Sequence, residues 1–285
     1  MPWYNKYLTV FEKPFNDAPA ALIEEVKVKL QQMQSENPIA SVVVIAHNEE
    51  TRLLSCLWSL SDNICRYPVE IIGVNNNSAD RTGEVFQLSG VPCYFEERKG
   101  PGFARECGQN HVRGKYYICI DSDTMYPPHY IETVIRELEK PDVVAVSSFW
   151  SFIPDKDHSK WGLKFYEAVR DLYIRALFLK RPERGVRGMV FAYKTEYGRK
   201  VGYRVELKRG EDGSMALGLK KYGKIKLITA RKARAVTASN TLNADGSLFN
   251  SFKVRVLKGL KNSSFFFTRQ TKPPKDEESN LINNP

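Results

Sequence analysis

The stretch Tyr116-Tyr-Ile-Cys-Ile-Asp-Ser-Asp-Thr124 decides how this chain is read. Its apolar half suits burial on both faces at once, the pattern of a strand inside a parallel sheet covered by helices. It then ends in two carboxylates, Asp121 and Asp123, with Ser122 between them. Carboxylates so close at the end of a buried strand repel each other unless a proton or a cation intervenes. A hard divalent ion, Mg2+ or Mn2+, suits oxygen ligands and completes its shell with water and the phosphate oxygens of a ligand. Taken alone, the same residues also fit an exposed turn that caps the next helix.

The flanking sequence repeats one alternation. Residues 41–46 are a near-continuous apolar run, and 49–60 follow with helical spacing at Leu53, Leu54, Leu57 and Trp58. Residues 69–75 predict a second strand, 80–88 a helix capped by Asp80, 91–96 a third strand and 101–112 a helix opened by Pro101. Residues 115–121 form the fourth strand, followed by a helix at 128–138 and a strand at 143–148. This order implies right-handed crossovers and an α/β fold, a doubly wound, mainly parallel sheet flanked by helices. Ligands of such sheets sit beyond the carboxyl ends of the strands. The segments there, 46–50, 75–80, 98–105 and 121–124, are all rich in polar, charged or glycine residues.

Three parts follow along the chain. Residues 1–37 read as an N-terminal extension, with Trp3, Tyr4, Tyr7, Phe11 and Phe15 before a helix capped by Asp17 whose stripe is Leu22, Val26, Leu30 and Met33. Residues 38–242 form the main domain, its second half predicting a long helix at 161–179, a glycine-flanked strand or loop at 185–193, a short helix at 211–219 and a strand at 225–228. Residues 243–285 combine a basic helical segment with a polar flexible tail. In that segment Phe249, Phe252, Val256 and Leu260 recur at helical spacing beside Lys253, Arg255, Lys258 and Lys261, which fits either a packed helix or one lying on an anionic membrane surface.

At 42% hydrophobic and 27% charged, the chain has enough apolar residues for a full core and is not a disordered protein. No run approaches a membrane span, and Glu12, Asp17, Glu24 and Glu25 interrupt any signal-peptide core, so a cytoplasmic protein is expected. Five irregularly spaced cysteines without a Cys-x-x-Cys pair read as reduced, buried packing residues. The net charge of +10 attracts polyanions without choosing among nucleic acid, lipid headgroups and phosphate-bearing small molecules.

Five segments carry a resemblance. Ser41-Val-Val-Val-Ile-Ala-His-Asn-Glu-Glu50, Val74-Asn-Asn-Asn-Ser-Ala-Asp80, Arg98-Lys-Gly-Pro-Gly-Phe-Ala-Arg105, Ile120-Asp-Ser-Asp-Thr124 and Gly210-Glu-Asp-Gly213 resemble, in order, the motifs of family-two inverting glycosyltransferases with the GT-A fold. The resemblance implies a nucleoside-diphosphate sugar donor, with UDP favoured, and a carbohydrate or lipid-linked acceptor. It implies Mn2+ or Mg2+ at Asp121 and Asp123, and a place in bacterial polysaccharide, lipopolysaccharide or glycolipid synthesis; a position peripheral to the inner face of the membrane is expected from the basic segment at 249–261. Ala46, His47, Glu49, Asn75, Arg105, Asp121 and Ser122 fall at the donor-nucleotide positions.

His47 stands where an aromatic residue commonly meets the base, and is either that or a hydrogen-bonded loop histidine. Glu49 matches the acid that approaches the ribose and also suits a first helical turn. Asn75 replaces a common aspartate; its carbonyl still accepts from a uracil N–H, while its amide also donates. Arg98 and Lys99 are further cations beside the proposed diphosphate. Asp212 matches the base that removes the acceptor proton, and as a helix-start acid it has a bland reading too. Trp161, Gly188, Met189 and Glu211 are candidates for the sugar and acceptor pocket. No histidine follows His158 to serve as a late third metal ligand.

Three alternatives compete. A nucleotidyltransferase needs a basic, glycine-rich loop after the first strand, where this chain has the acidic Ala46-His-Asn-Glu-Glu50. A nucleic-acid-binding protein fits the charge, but no aromatic and basic residues interleave as a single-strand-binding surface requires, so no nucleic acid is expected. A catalytically degenerate nucleotide-sugar-binding protein is compatible with Asn75.

Overall fold

Apolar runs become strands and stripes become helices throughout the first half of the chain. The computed structural model describes residues 1–154, 159–207 and 209–238. Two short 3-10 turns lead into α1 (Ala20–Met33), followed by β1 (Ala40–Ala46), α2 (Leu53–Ser61), β2 (Val69–Asn75), α3 (Thr82–Leu88), β3 (Cys93–Phe95), α4 (Pro101–His111) and β4 (Tyr116–Asp121). Then come β5 (Thr124–Met125), α5 (Tyr130–Leu138), β6 (Val143–Ser148), β7 (Trp150–Phe152), α6 (Lys160–Lys180) and α7 (Pro182–Gly185). The last described elements are β8 (Phe191–Lys194), α8 (Thr195–Val201), α9 (Glu211–Leu219), β9 (Lys224–Ile228) and β10 (Ala235–Thr237). The basic segment expected at 249–261, the tail and His158 lie outside the described residues.

Seven strands form one sheet in the order β3-β2-β1-β4-β8-β6-β9. Every neighbouring pair is parallel except at β8, which runs antiparallel to both β4 and β6. Alternate side chains of β1 supply two cores. Val42 and Val44 pack with Val26 and Leu30 of α1 and Leu53, Leu57 and Leu60 of α2, while Val43 packs with Val74, Tyr117, Cys119 and the α9 residues Met215, Ala216 and Leu219. Both faces are thus covered, as a parallel sheet requires. The chain winds outward from β1 to β2 and β3, then returns to β4 on the other side of β1. That reversal opens a crevice at the carboxyl ends of β1 and β4, where Ile45 pairs with Asp121.

The N-terminal segment is packed into this body. Tyr7, Val10 and Phe15 are buried. At the far end of α1, the Gln34 side chain donates to the Ile71 carbonyl at 2.9 Å and accepts from the Ile71 amide at 3.1 Å, completing the ladder of β2 where β3 does not reach. Ser35 N–H adds a bond to the Val69 carbonyl at 2.9 Å.

Several details differ from the sequence expectation. Asp17 does not cap α1: extended Pro14 and Pro19 isolate a separate turn over Phe15–Asp17, and Pro19 itself precedes the helix. α2 begins at Leu53, because the Glu49 and Glu50 amides donate to the Thr82 hydroxyl (2.8 Å) and the Asp80 carboxylate (3.0 Å), tying that stretch down as a loop. Asp80 also accepts from the Thr82 amide at 3.0 Å and so does hold the first turn of α3. Residues 185–193 divide into the end of α7, a 3-10 turn at Gly188–Val190 and the start of β8. Cys56, Cys107 and Cys119 are buried, whereas Cys93 is exposed and Cys65 only half-buried. A second sheet, β5-β10-β7, has strands of two or three residues that no periodicity announced.

Candidate active site

A cleft of about 310 Å³ occupies the crevice at the ends of β1 and β4. One wall is the end of β4 with Asp121, Ser122 and Asp123, and the opposite wall is the start of α9 with Glu211 and Asp212. Ala46 ends β1, His47 and Glu49 come from the loop after it, Asn76 from the loop after β2, and Gly100, Pro101, Ala104 and Arg105 from the start of α4. Five segments that follow parallel strands or open helices therefore converge on one space.

The acids on the first wall crowd one another. The Asp123 carboxyl is pushed up to about 6, by burial and then by Asp121. Glu49 is pushed up to about 7, by burial and then by Asp123, with Arg52 at 3.2–3.3 Å working against the shift. The hydrogen bonds to Asp123 come from Thr124 (2.9 Å) and Thr237 (3.4 Å), and both reach Oδ1. Among the described residues, no group of three or more His, Cys, Asp or Glu side chains is arranged to hold a metal by itself. Two crowded carboxylates still fit a hard divalent ion that takes its remaining ligands from water and phosphate.

On the opposite wall, Gly210 at φ 94° turns the chain into α9 in a left-handed conformation that favours glycine. Burial, and then the neighbouring Asp212, push Glu211 up to about 8. Burial also raises Asp212, opposed by the Arg105 charge and by a hydrogen bond from Glu211. Burial and mutual repulsion thus raise both carboxyls of the pair, and the Arg105 charge works toward ionisation on the Asp212 side.

Arg105 joins the two walls. Its guanidinium is 1% exposed, bonds to Asp121 Oδ1, donates to the Ile120 carbonyl at 3.1 Å and lies 3.9 Å from Asp212. Its charge is therefore directed at carboxylates of the protein, where the sequence suggested contact with the donor nucleotide. Gly188 makes room for this arrangement, since a Cβ there would collide with Asp212 Oδ2 and come 2.7 Å from Arg105 Nη2.

The structure does not bring every candidate to the cleft. Trp161 is 79% exposed on the first turn of α6 and lies outside the cleft lining. Asn75 accepts from the Ser78 amide at 3.1 Å, and its neighbour Asn76 takes the place on the cleft wall. Arg98 pairs with Glu96 and Lys99 is exposed outside the lining. Met189 accepts the Tyr126 hydroxyl on its carbonyl at 2.8 Å, that hydroxyl in turn accepts the Asp121 amide at 3.2 Å, and the Met189 sulfur lies 3.8 Å from the Thr124 hydroxyl, so Met189 stands behind the cleft wall and outside its lining. His47 Nδ1 donates to the Asn76 carbonyl at 2.7 Å, which fixes the ring.

Sequence reasoning missed Asn76, Arg52 and Thr237. Asn76 buttresses the cleft by donating to the Arg98 carbonyl at 2.7 Å and accepting from the Gly100 amide at 2.8 Å. The run Asn75-Asn-Asn77 signalled a turn without saying which amide faces inward. Thr237 is 114 residues from Asp123 in sequence, on a three-residue strand that carries no pattern.

A family model described as glycosyl transferase family 2 matches residues 41–202. Among curated proteins, putative glycosyltransferase EpsH of Bacillus subtilis is 28% identical over 174 residues, 58% of this chain and 48% of that protein. The chain spans at most about half the length of the curated relatives it matches. Among solved structures, the mannosyltransferase PcManGT of Pyrobaculum calidifontis, in complex with GDP-Man and Mn2+, shares the fold with a TM-score of 0.56 at 18% identity, covering 90% of this chain and 75% of that one. TarS of S. aureus in complex with UDP has a TM-score of 0.53 at 17% identity, covering 70% of this chain and 60% of that one.

Proposed function

Because the chain belongs to glycosyl transferase family 2, we propose that it moves a sugar from a nucleoside-diphosphate sugar, UDP-linked in the first instance, to an acceptor hydroxyl with inversion at the anomeric carbon. The observation that carries this reading is the single cleft with Asp121 and Asp123 on one wall, Asp212 on the other and buried Arg105 between them.

Asp212 takes the proton of the acceptor hydroxyl as its oxygen attacks the anomeric carbon, from the face opposite the diphosphate. The sugar–diphosphate bond breaks as the new bond forms, through an oxocarbenium-like state. Glu211 keeps its own proton and hydrogen-bonds Asp212, while Arg105 favours the ionised form of that base. Asp121 and Asp123 are the residues that would hold Mn2+ or Mg2+. When bound, such an ion supplies charge stabilisation for the departing diphosphate. His47, its ring fixed on Asn76, stacks on the base, and Glu49 meets the ribose.

The acceptor is a carbohydrate or lipid-linked molecule, and the reaction belongs at the cytoplasmic face of a membrane, in polysaccharide, lipopolysaccharide or glycolipid assembly. Calorimetry with UDP, GDP and dTDP, in Mn2+ and in chelator, tests the donor side. UDP should bind in Mn2+ alone, and Asp123→Asn should weaken that binding at least about tenfold. Equally weak binding of all three under both conditions ends the reading.

A further inference from the structure

We propose that the outward face of α6 docks on an anionic lipid bilayer. Among the described residues, ten large hydrophobic side chains are exposed, and five of them, Trp161, Phe165, Leu172, Tyr173 and Leu179, belong to this one helix. Trp161, Phe165, Leu172 and Leu179, with Ala168 and Ala176, fall within about 80° of arc at 3.6 residues per turn. Exposed apolar residues scattered singly need no explanation, but a continuous stripe does. The fold does not need it: the inward face already packs through Leu163, Tyr166, Ile174 and Leu177.

Charge selects the occupant. Lys160, Lys164 and Arg175 are exposed along the stripe, and the Lys164 ammonium lies 5.0 Å from the Trp161 ring centre. Both acids of α6 are turned toward the domain: Glu167 accepts from the Phe152 amide (2.7 Å) and the Ser151 hydroxyl (2.9 Å), and Asp171 pairs with Arg170 and Arg234. The outward face is therefore apolar with a positive rim and no acid of its own helix. An anionic membrane surface offers both complements, headgroup charge for the rim and acyl chains for the stripe. A second copy presenting the same face would set cation against cation, and a nucleic acid would leave the leucines without a partner.

The helix is about 32 Å long and lies flat, since no helix among the described residues is long and apolar enough to cross a membrane. At its carboxyl end it passes into α7, which packs on α9, the element that carries Glu211 and Asp212. Docking through α6 thus brings the acceptor wall of the cleft close to the lipid surface. This deepens the membrane part of the function proposed above and is independent of the donor chemistry.

Flotation of the full chain with vesicles of phosphatidylglycerol and phosphatidylcholine, against phosphatidylcholine alone, tests it. The protein should float with the anionic vesicles at low salt. Phe165→Ser/Leu172→Ser/Leu179→Ser should lower the partition coefficient at least about tenfold, and Lys164→Gln/Arg175→Gln about fivefold for each charge removed. The melting temperature and metal-dependent UDP binding should not change, which separates lost docking from lost folding or a failed donor site. No binding by the natural chain, or equal flotation of the triple serine variant, overturns the proposal. A dimer that the serine variant converts to a monomer, without any lipid binding, also overturns it and makes the face a contact between copies.

Discussion

Replacing Glu211 with glutamine should stabilise the protein, and the gain should grow with pH. Glu211 is 8% exposed, and burial followed by Asp212 moves its carboxyl from the ordinary 4.5 to about 8. A folded-state value above the unfolded one means that the folded protein holds a proton the unfolded chain has already released. The associated stability is fully present below about 4.5 and is lost as the pH climbs through about 8. At ~1.4 kcal/mol per pH unit, that span sets a ceiling of about 5 kcal/mol, and local relaxation reduces it to about 2–4 kcal/mol. Glutamine has no proton to lose, and its amide can still donate to Asp212. With roughly 2 °C per kcal/mol in a chain of this size, Glu211→Gln should melt about 4–8 °C above the natural protein at pH 9 and within about 1 °C of it at pH 4.5. Differential scanning calorimetry across this range measures the difference directly. A gain independent of pH, or one largest at pH 4.5, would refute the assignment of the shared proton to Glu211.

Asp212→Asn should lower transfer about 10²–10⁴-fold at saturating donor while leaving the UDP dissociation constant within about twofold, as measured by product formation and calorimetry. Gly188→Ala should cut transfer at least about tenfold and cost about 1–3 kcal/mol, because its methyl group must displace Asp212 or the Arg105 guanidinium from a packed position. Thermal melts alongside activity measurements check both effects, and a fully active, equally stable alanine variant would show that the cleft wall yields.

Elements with a strong local pattern were legible in the sequence. β2, β6 and α9 begin and end where the apolar runs and the Gly210 boundary indicated, and Pro101 opens α4. The convergence of Asp121, Asp123 and Asp212 on one cleft follows from strand order together with the motifs. What stayed hidden depends on contacts distant in sequence. Arg105 reads as one more cation near a phosphate until folding sets it between two carboxylates, and Thr237 carries no pattern at all. Trp161 misled because an aromatic near a carbohydrate site and an aromatic on an outward helix face look identical in one dimension. α2 started late because Asp80 and Thr82, some thirty residues on, captured the amides of its expected first turn.

The clamp of Gln34 on Ile71 bears on how this protein can be cut and joined. Family membership is read from residues 41–202, yet the hydrogen-bonding edge of β2 is closed by a side chain outside that stretch. An open edge on a flat, apolar strand is a template for another chain, and native proteins guard against it. Gln34 imitates a missing strand with a single carboxamide, held in place by Val26 and Leu30 in the core beneath. A shortened chain beginning at the first family motif would keep Asp121, Asp123 and Asp212 in its sequence and lose both this guard and the helix that covers one face of the sheet, so its characteristic failure would be self-association into aggregates through β2.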